Sequence, residues 1–276
     1  MVRVPVLPNI VTALGLTCGL FVIFKMNMTP VSGADLHVLT ICSVILLLGA
    51  FLDLIDGAIA RALSAESSFG SFFDSIADAI TFGVAPSVIV LKSLSITPGT
   101  EFSFLMTTAA MIYSVSGVLR LVRFNIMDSV PDELSVKTKN FRGLPIPAGA
   151  AAIVSLNLFL ISDEFNTLFL ISEETRAWIL FIAMVVIGYF MISRWKFPSA
   201  KGINLKVTSF KMVIYTVISA VILFYGILNH FPVIFFLLAW GYVAIAWVLS
   251  IVRVIAGRRT MALEDFEPDP DDELDK

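Results

Sequence analysis

Four carboxylates stand inside apolar stretches of this 276-residue chain: Asp53 and Asp56 in Asp53-Leu-Ile-Asp56-Gly57-Ala-Ile-Ala60-Arg61, and Asp74 and Asp78 in Gly70-Ser-Phe-Phe-Asp74-Ser-Ile-Ala-Asp78. A charge within a bilayer costs about 2.5–3.5 kcal/mol on insertion scales, so such a residue marks a functional site by default. Acids three or four apart share one face of a helix. Asp53 lies eight residues before Arg61 and Asp78 eight after Gly70. At a rise of about 1.5 Å per residue, each therefore sits about 12 Å in from a turn expected near 62–69, and the pairs face each other at matching depth. Arg61 is the one basic residue between 26 and 91, so four bare negative charges would repel one another there unless cations intervened. Two divalent cations cancel all four. A donor set of oxygens without His or Cys suits Mg²⁺ or Mn²⁺ and argues against zinc or copper. Two such ions form a clamp on phosphoryl oxygens that supports in-line displacement. Gly57 and Gly70 permit a phosphate or a neighbouring helix to approach the backbone. Arg61, one turn beyond Gly57, is placed to pair with a phosphate through two parallel hydrogen bonds. Any one of these residues fits a solvated helix end or a packing contact equally well; six of them within 26 residues do not.

The elements that must hold these groups are membrane helices. The chain is 58% hydrophobic and 15% charged, with a mean hydropathy of +0.91, against about 45–50% and about 25% for soluble domains. Apolar segments recur at 10–24, 37–60, 70–92, 101–126, 145–161, 175–193, 210–228 and 231–252, most of them near the roughly 20 residues that span a hydrocarbon core. The expected fold is an all-α polytopic bundle of about eight transmembrane helices over 1–255, followed by an acidic, disordered tail over 256–276. The N-terminal apolar run reads as a first membrane helix rather than a cleaved signal, because no A-x-A-like site follows it. Cys18 and Cys42 are expected as small core residues, too few for a disulfide framework or a zinc site.

Lys and Arg set the orientation. With the N-terminus inside, 15 of 19 fall on one side, among them Arg3, Arg61, Arg120, Arg123, Arg142, Arg194 and Lys196, and only Lys25, Lys92 and Arg176 on the other. Both termini and the acid-bearing face are thus expected to be cytoplasmic, in the inner membrane. The net charge of −3 conceals an asymmetry: from Glu264 onward the tail holds eight acids and one base, which leaves 18 basic against 14 acidic residues in the body. The acidic balance excludes nucleic acid as a partner.

At the acid-bearing segments the sequence resembles the CDP-alcohol phosphatidyltransferase family, whose signature is D-x2-D-G-x2-A-R-x8-G-x3-D-x3-D. Asp53, Asp56, Gly57, Ala60, Arg61, Gly70, Asp74 and Asp78 fill all eight fixed positions. The resemblance implies that Asp53 and Asp74 bridge two metal ions, that Asp56 completes one site, and that Asp78 completes the other while acting as general base. It also implies that Gly57, Arg61 and Ser67, with Gly70, line the site for the CDP-lipid, and that the protein is a homodimer.

Leu7-Pro8-Asn9, Arg120-Leu-Val-Arg123-Phe124-Asn125, Gly143-Leu-Pro145-Ile-Pro147-Ala and Pro198-Ser199-Ala-Lys201 resemble the serine-using branch of that family. This implies transfer of a phosphatidyl group from CDP-diacylglycerol to L-serine. A serine zwitterion brings a carboxylate that wants Arg and an ammonium that wants an acid or carbonyl. Arg120, Arg123, Asn125, Arg142, Arg194 and Lys196 are the expected serine contacts, although basic residues at this face also bind anionic lipid heads. The alternatives are the same chemistry with glycerol 3-phosphate, inositol or an archaeal-type CDP-lipid donor, and, remotely, a divalent-cation transporter. Transport would call for midplane acids or repeated halves, and neither is evident.

Overall fold

The computed structural model describes residues 6–30, 35–63, 67–97, 99–128, 141–193, 196–197 and 225–256. Helices dominate: α1 (Val6–Asn27), α2 (Leu36–Ala62), α3 (Ser68–Asp78), a π-helical turn (Ala79–Val84), α4 (Ala85–Ser93), α5 (Glu101–Asp128), α6 (Ile146–Ile161), α7 (Asp163–Leu168), α8 (Glu173–Ile192) and α9 (Phe231–Ala256). Extended structure is confined, among the described residues, to one antiparallel pairing, β1 (Phe141–Arg142) with β2 (Lys196–Phe197).

Six helical stretches among the described residues are long and apolar enough to cross a membrane: Leu7–Asn27, Leu36–Ala62, Phe69–Ser93, Glu101–Asn125, Glu173–Ile192 and Phe231–Leu249. A seventh apolar helix, α6, has only 16 residues. The segment expected at 210–228 lies outside the described residues except for a helical turn at 225–229, and the expected acidic tail lies outside them from 257 onward. Leu14, Phe21, Leu54, Phe104, Tyr189 and Ile245 are exposed on the outer faces of these helices. Such an exterior suits hydrocarbon rather than water.

Buried α6 forms the axis of the bundle, with Ile146, Ala152, Ile153 and Ser155 almost wholly enclosed. Its neighbours α8 and α9 close around it. Trp240 Nε1 donates to the Ala152 carbonyl at 2.9 Å, and the Phe236 ring stacks on Phe159 with centroids 4.4 Å apart. At one end of the bundle Gly143 takes a φ of +83°. A Cβ there would run into the Met191 carbonyl, so glycine alone lets the entry to α6 lie against the end of α8. At the other end Arg176 of α8 donates to the Ser93 carbonyl at 2.7 Å and to Glu173 at 2.9 Å. This ties α8 to the end of α4.

The third span is not a plain helix. Pro86 has no N–H, so in a regular α-helix the Phe82 carbonyl four residues earlier would lack its donor. The chain widens into a π turn over Ala79–Val84 at this point, and α5 supplies the missing partners. Tyr113, fully buried, donates its hydroxyl to the Phe82 carbonyl at 2.9 Å, and Ser114 donates to the Gly83 carbonyl at 2.9 Å. In a hydrocarbon environment every backbone polar group must find a partner within the protein. Here hydroxyls on a neighbouring helix provide them.

Candidate metal and phosphate site

Directly before the π turn, α3 meets α2 across the first helix. The expected turn is found where the sequence places it: α2 ends at Ala62, and Ser67 caps α3 by accepting from the Gly70 N–H at 3.1 Å. Asp53 and Asp56 on α2 and Asp74 on α3 come together so that one carboxylate oxygen from each lies within 4.8 Å of the other two. Asp78 lines the same cleft beside them but falls outside this tight triad. Three of the four acids thus converge, and the fourth stands one turn deeper.

The cleft has a floor of small residues. Besides the acids it is lined by Thr12, Gly15, Gly49, Ala77, Thr81 and Phe82, and encloses about 10 Å³, room for one water-sized or ion-sized sphere. Thr12 of α1 donates its hydroxyl to Asp56 Oδ2 at 2.6 Å, which holds that oxygen and leaves the other lone pairs of the carboxylate available. Beneath, α1 closes on the π turn. A Cβ at Gly19 would lie 2.7 Å from the Thr81 Cα, closer than any carbon can come. Gly15 and Gly19 form a G-x-x-x-G pair, a sequence signal for close helix packing in membranes, which, read with Thr12, could have pointed to α1 as the third wall. The acid spacing alone does not reveal it.

The residues expected to meet the CDP-lipid form two local contacts. A Cβ on Gly57 would meet the Arg61 guanidinium at 3.4 Å, so Arg61 folds back one turn over the glycine while remaining exposed. A Cβ on Gly70 would sit 3.1 Å from Ser67 Oγ and 3.3 Å from Asn9 Oδ1. Asn9 reaches this corner from α1 with its Nδ2 buried and unpartnered. Ser67 serves as a helix cap here, a role the sequence does not announce.

The six expected serine contacts divide. Arg120, on α5, is within electrostatic reach of Asp78 and of Tyr242 on α9, and its buried Nε has no hydrogen-bond partner. Asn125 pairs instead with Ser75, donating from Nδ2 at 2.9 Å, and so braces α3 against α5. Arg123 reaches the Ile192 carbonyl at 3.5 Å, the outer limit of a hydrogen bond. Arg142 and Lys196 are paired through their backbones in the β1–β2 contact. Arg194 lies outside the described residues. Cys42 is buried and Cys18 half-buried, both free thiols.

The chain is thus a helical protein with several apolar membrane-length spans, in which Asp53, Asp56 and Asp74 form an all-oxygen cluster that could hold a hard cation. The profile of the CDP-alcohol phosphatidyltransferase family matches residues 5–190, and the chain belongs to that family of membrane-embedded transferases. It is 29% identical over 255 residues to the CDP-diacylglycerol–serine O-phosphatidyltransferase of Helicobacter pylori strain 26695, covering 92% of this chain and 96% of that one. A protein of the same name from Bacillus subtilis is 32% identical over 195 residues, covering 71% of this chain and 91% of the relative. One from Methanocaldococcus jannaschii is 33% identical over 151 residues, covering 55% and 60%.

Proposed function

We propose that this chain transfers the phosphatidyl group of CDP-diacylglycerol to L-serine, releasing CMP and forming phosphatidylserine. The observation that carries the reading is the likeness to serine-using relatives over nearly the whole chain, together with a carboxylate cluster whose donors fit hard cations. Asp53, Asp56 and Asp74 hold the divalent ions, with Asp78 as the fourth ligand, and Thr12 keeps the Asp56 carboxylate in place. Two Mg²⁺ or Mn²⁺ ions supply charge neutralisation for the diphosphate and its leaving group.

The chain's own residues do the rest. Arg61, folded over Gly57, pairs with a phosphate of the CDP-lipid, and the corner formed by Ser67, Gly70 and Asn9 accommodates the donor where side chains are short. Asp78 accepts the proton of the serine hydroxyl. The serine oxygen bonds to the β-phosphorus as the bond from that phosphorus to the CMP oxygen breaks. The lipid tails stay among the apolar outer faces while serine and nucleotide come from water.

In this reading the acid-bearing end lies at the cytoplasmic side of the inner membrane, with both termini inside and eight spans, which the bias of Lys and Arg to one side supports. Residues 1–255 form the transferase domain, 256–276 an acidic tail, and the working unit is a homodimer. The test supplies CDP-diacylglycerol, Mg²⁺ or Mn²⁺, and one alcohol at a time while CMP release is measured. Serine-dependent release is expected; release with inositol or glycerol 3-phosphate and none with serine overturns the choice of acceptor.

A further inference from the structure

Of the helices that meet at the carboxylates, α3 is the shortest. It has 11 residues, against 22 in α1 and 27 in α2, and it carries Asp74 and Asp78. What fixes its rotation therefore decides where those two acids point. Successive residues of a helix stand about 100° apart around its axis, so Asp74 and Ser75 look in different directions. Asp74 turns to α2, where it joins Asp53 and Asp56. Ser75 turns to α5, where Asn125 Nδ2 donates to its Oγ at 2.9 Å. The serine hydroxyl donates in turn to the Ser71 carbonyl of its own helix at 3.0 Å, so its lone pair and its proton are both engaged.

The same helix α5 takes hold of this span again beyond Asp78. Tyr113 and Ser114 donate to the Phe82 and Gly83 carbonyls, four and five residues after Asp78, whereas Ser75 lies three residues before it. Asp78 thus stands between two points at which α5 holds its chain. The contacts to Phe82 and Gly83 satisfy backbone carbonyls of the π turn. The Asn125–Ser75 bond joins two side chains, and its leverage is mechanical. A side-chain oxygen lies about 6 Å from the axis of its helix, so rotating α3 by about 30° would carry the Asp74 carboxylate through about 3 Å. Metal–ligand distances tolerate only about 0.2 Å, and a working site holds its groups within about 10–20°.

We propose that Asn125 is a positioning residue of the metal site: through Ser75 it sets the rotation of α3 and so aims Asp74 and Asp78 at the carboxylates of α2. This assigns Asn125 to the assembly of the cation site rather than to the acceptor, and it rests on the carboxylates being metal ligands.

Full-length protein in nanodiscs provides the test, with Mn²⁺ binding followed by spin resonance of the free ion in the absence of both substrates. Asn125→Ala and Ser75→Ala break the bond from opposite sides. Each is expected to weaken Mn²⁺ binding about fivefold, less than the roughly 10–100-fold lost with a partner that touches a ligand directly. The double variant should lose no more than either single one, because the two side chains act as a unit. Ser75→Thr, which keeps the oxygen, should restore the wild-type affinity. In CMP release the KM for serine should stay within about twofold while kcat at limiting Mn²⁺ falls. A bond that merely stabilises the bundle would shift the melting midpoint and leave the Mn²⁺ affinity of the folded protein unmoved. Unaltered Mn²⁺ affinity in both single variants overturns the proposal. So does a serine KM that rises in Asn125→Ala but not in Ser75→Ala, which would make Asn125 an acceptor contact. Wild-type protein that binds no Mn²⁺ overturns the metal reading itself, and this proposal with it. Should Asn125→Ala fail to fold, Ser75→Ala and Ser75→Thr decide between these outcomes alone.

Discussion

At the scale of single residues, Asp78 and Thr12 carry the sharpest expectations. Asp78→Asn keeps the size of the side chain and removes the proton acceptor, so turnover should fall by at least about a hundredfold while CDP-lipid binding remains measurable; substantial retained CMP release would remove Asp78 as the base. Thr12 acts on the cluster only through its 2.6 Å hydrogen bond to Asp56. Loss of an outer-shell partner of this kind costs about 10–100-fold in metal affinity. Thr12→Val should therefore weaken Mn²⁺ binding, followed by spin resonance of the free ion without substrate, by about tenfold, and Thr12→Ser should restore it. Equal Mn²⁺ affinity in both variants would show that Asp56 needs no such support. The four acids are legible in the sequence because a carboxylate in an apolar stretch is an anomaly at any position. Thr12 is not, because a lone threonine in a membrane helix more often bonds its own backbone four residues back, as Thr12 also does to Pro8 at 3.1 Å.

At the scale of elements, the third span is where local chemistry and packing meet. Its apolar run is readable at 70–92, and the structure has it at Phe69–Ser93. The π turn within it is a response to Pro86, and its stability depends on α5. Tyr113→Phe leaves the Phe82 carbonyl buried without its donor, and should destabilise the bundle by about 1 kcal/mol, read by thermal unfolding in detergent. No change in midpoint would mean that the carbonyl finds another partner. Gly19→Ala would push a methyl group into Thr81. Overpacking of that kind costs about 1–3 kcal/mol, and here it should also lower activity, because Thr81 lines the carboxylate cleft. Unaltered melting and activity together would show that α1 can back away from the turn. Helix ranges are visible in sequence because hydrophobic length and turn residues are local. Which helix donates to an orphaned carbonyl is not local.

At the scale of the whole molecule, the two ends of the bundle differ. The acid-bearing end holds the small carboxylate cleft, whereas the opposite end is pinned by the Arg176 contacts and by His230, whose Nδ1 lies 2.8 Å from Glu164 Oε1. That hydrogen bond, followed by the backbone of α7, holds the Glu164 carboxyl below its ordinary value of 4.5. A carboxyl lowered in the folded state contributes stability above its ordinary value and loses that contribution as pH falls through the lowered one. Wild-type protein should therefore lose some stability between pH 4.5 and lower values that Glu164→Gln does not lose. The effect should be small because the pair is largely exposed, and identical acid profiles for the two proteins would show that the contact contributes nothing.

Composition and the eight-position signature by themselves point to a membrane-embedded transferase with an acidic cluster suited to hard cations. These are properties of residue type and spacing along one or two neighbouring helices, and the physics that reads them is local: transfer cost, helical period and ligand hardness. Two things are decided only by the tertiary structure. The acids are walled on their third side by Thr12 and Gly15 of α1, and Asp78 stands apart from the triad of Asp53, Asp56 and Asp74. Each depends on which helices, distant in sequence, come to lie side by side. That choice is made by packing glycines and aromatic rings whose partners a linear pattern does not name.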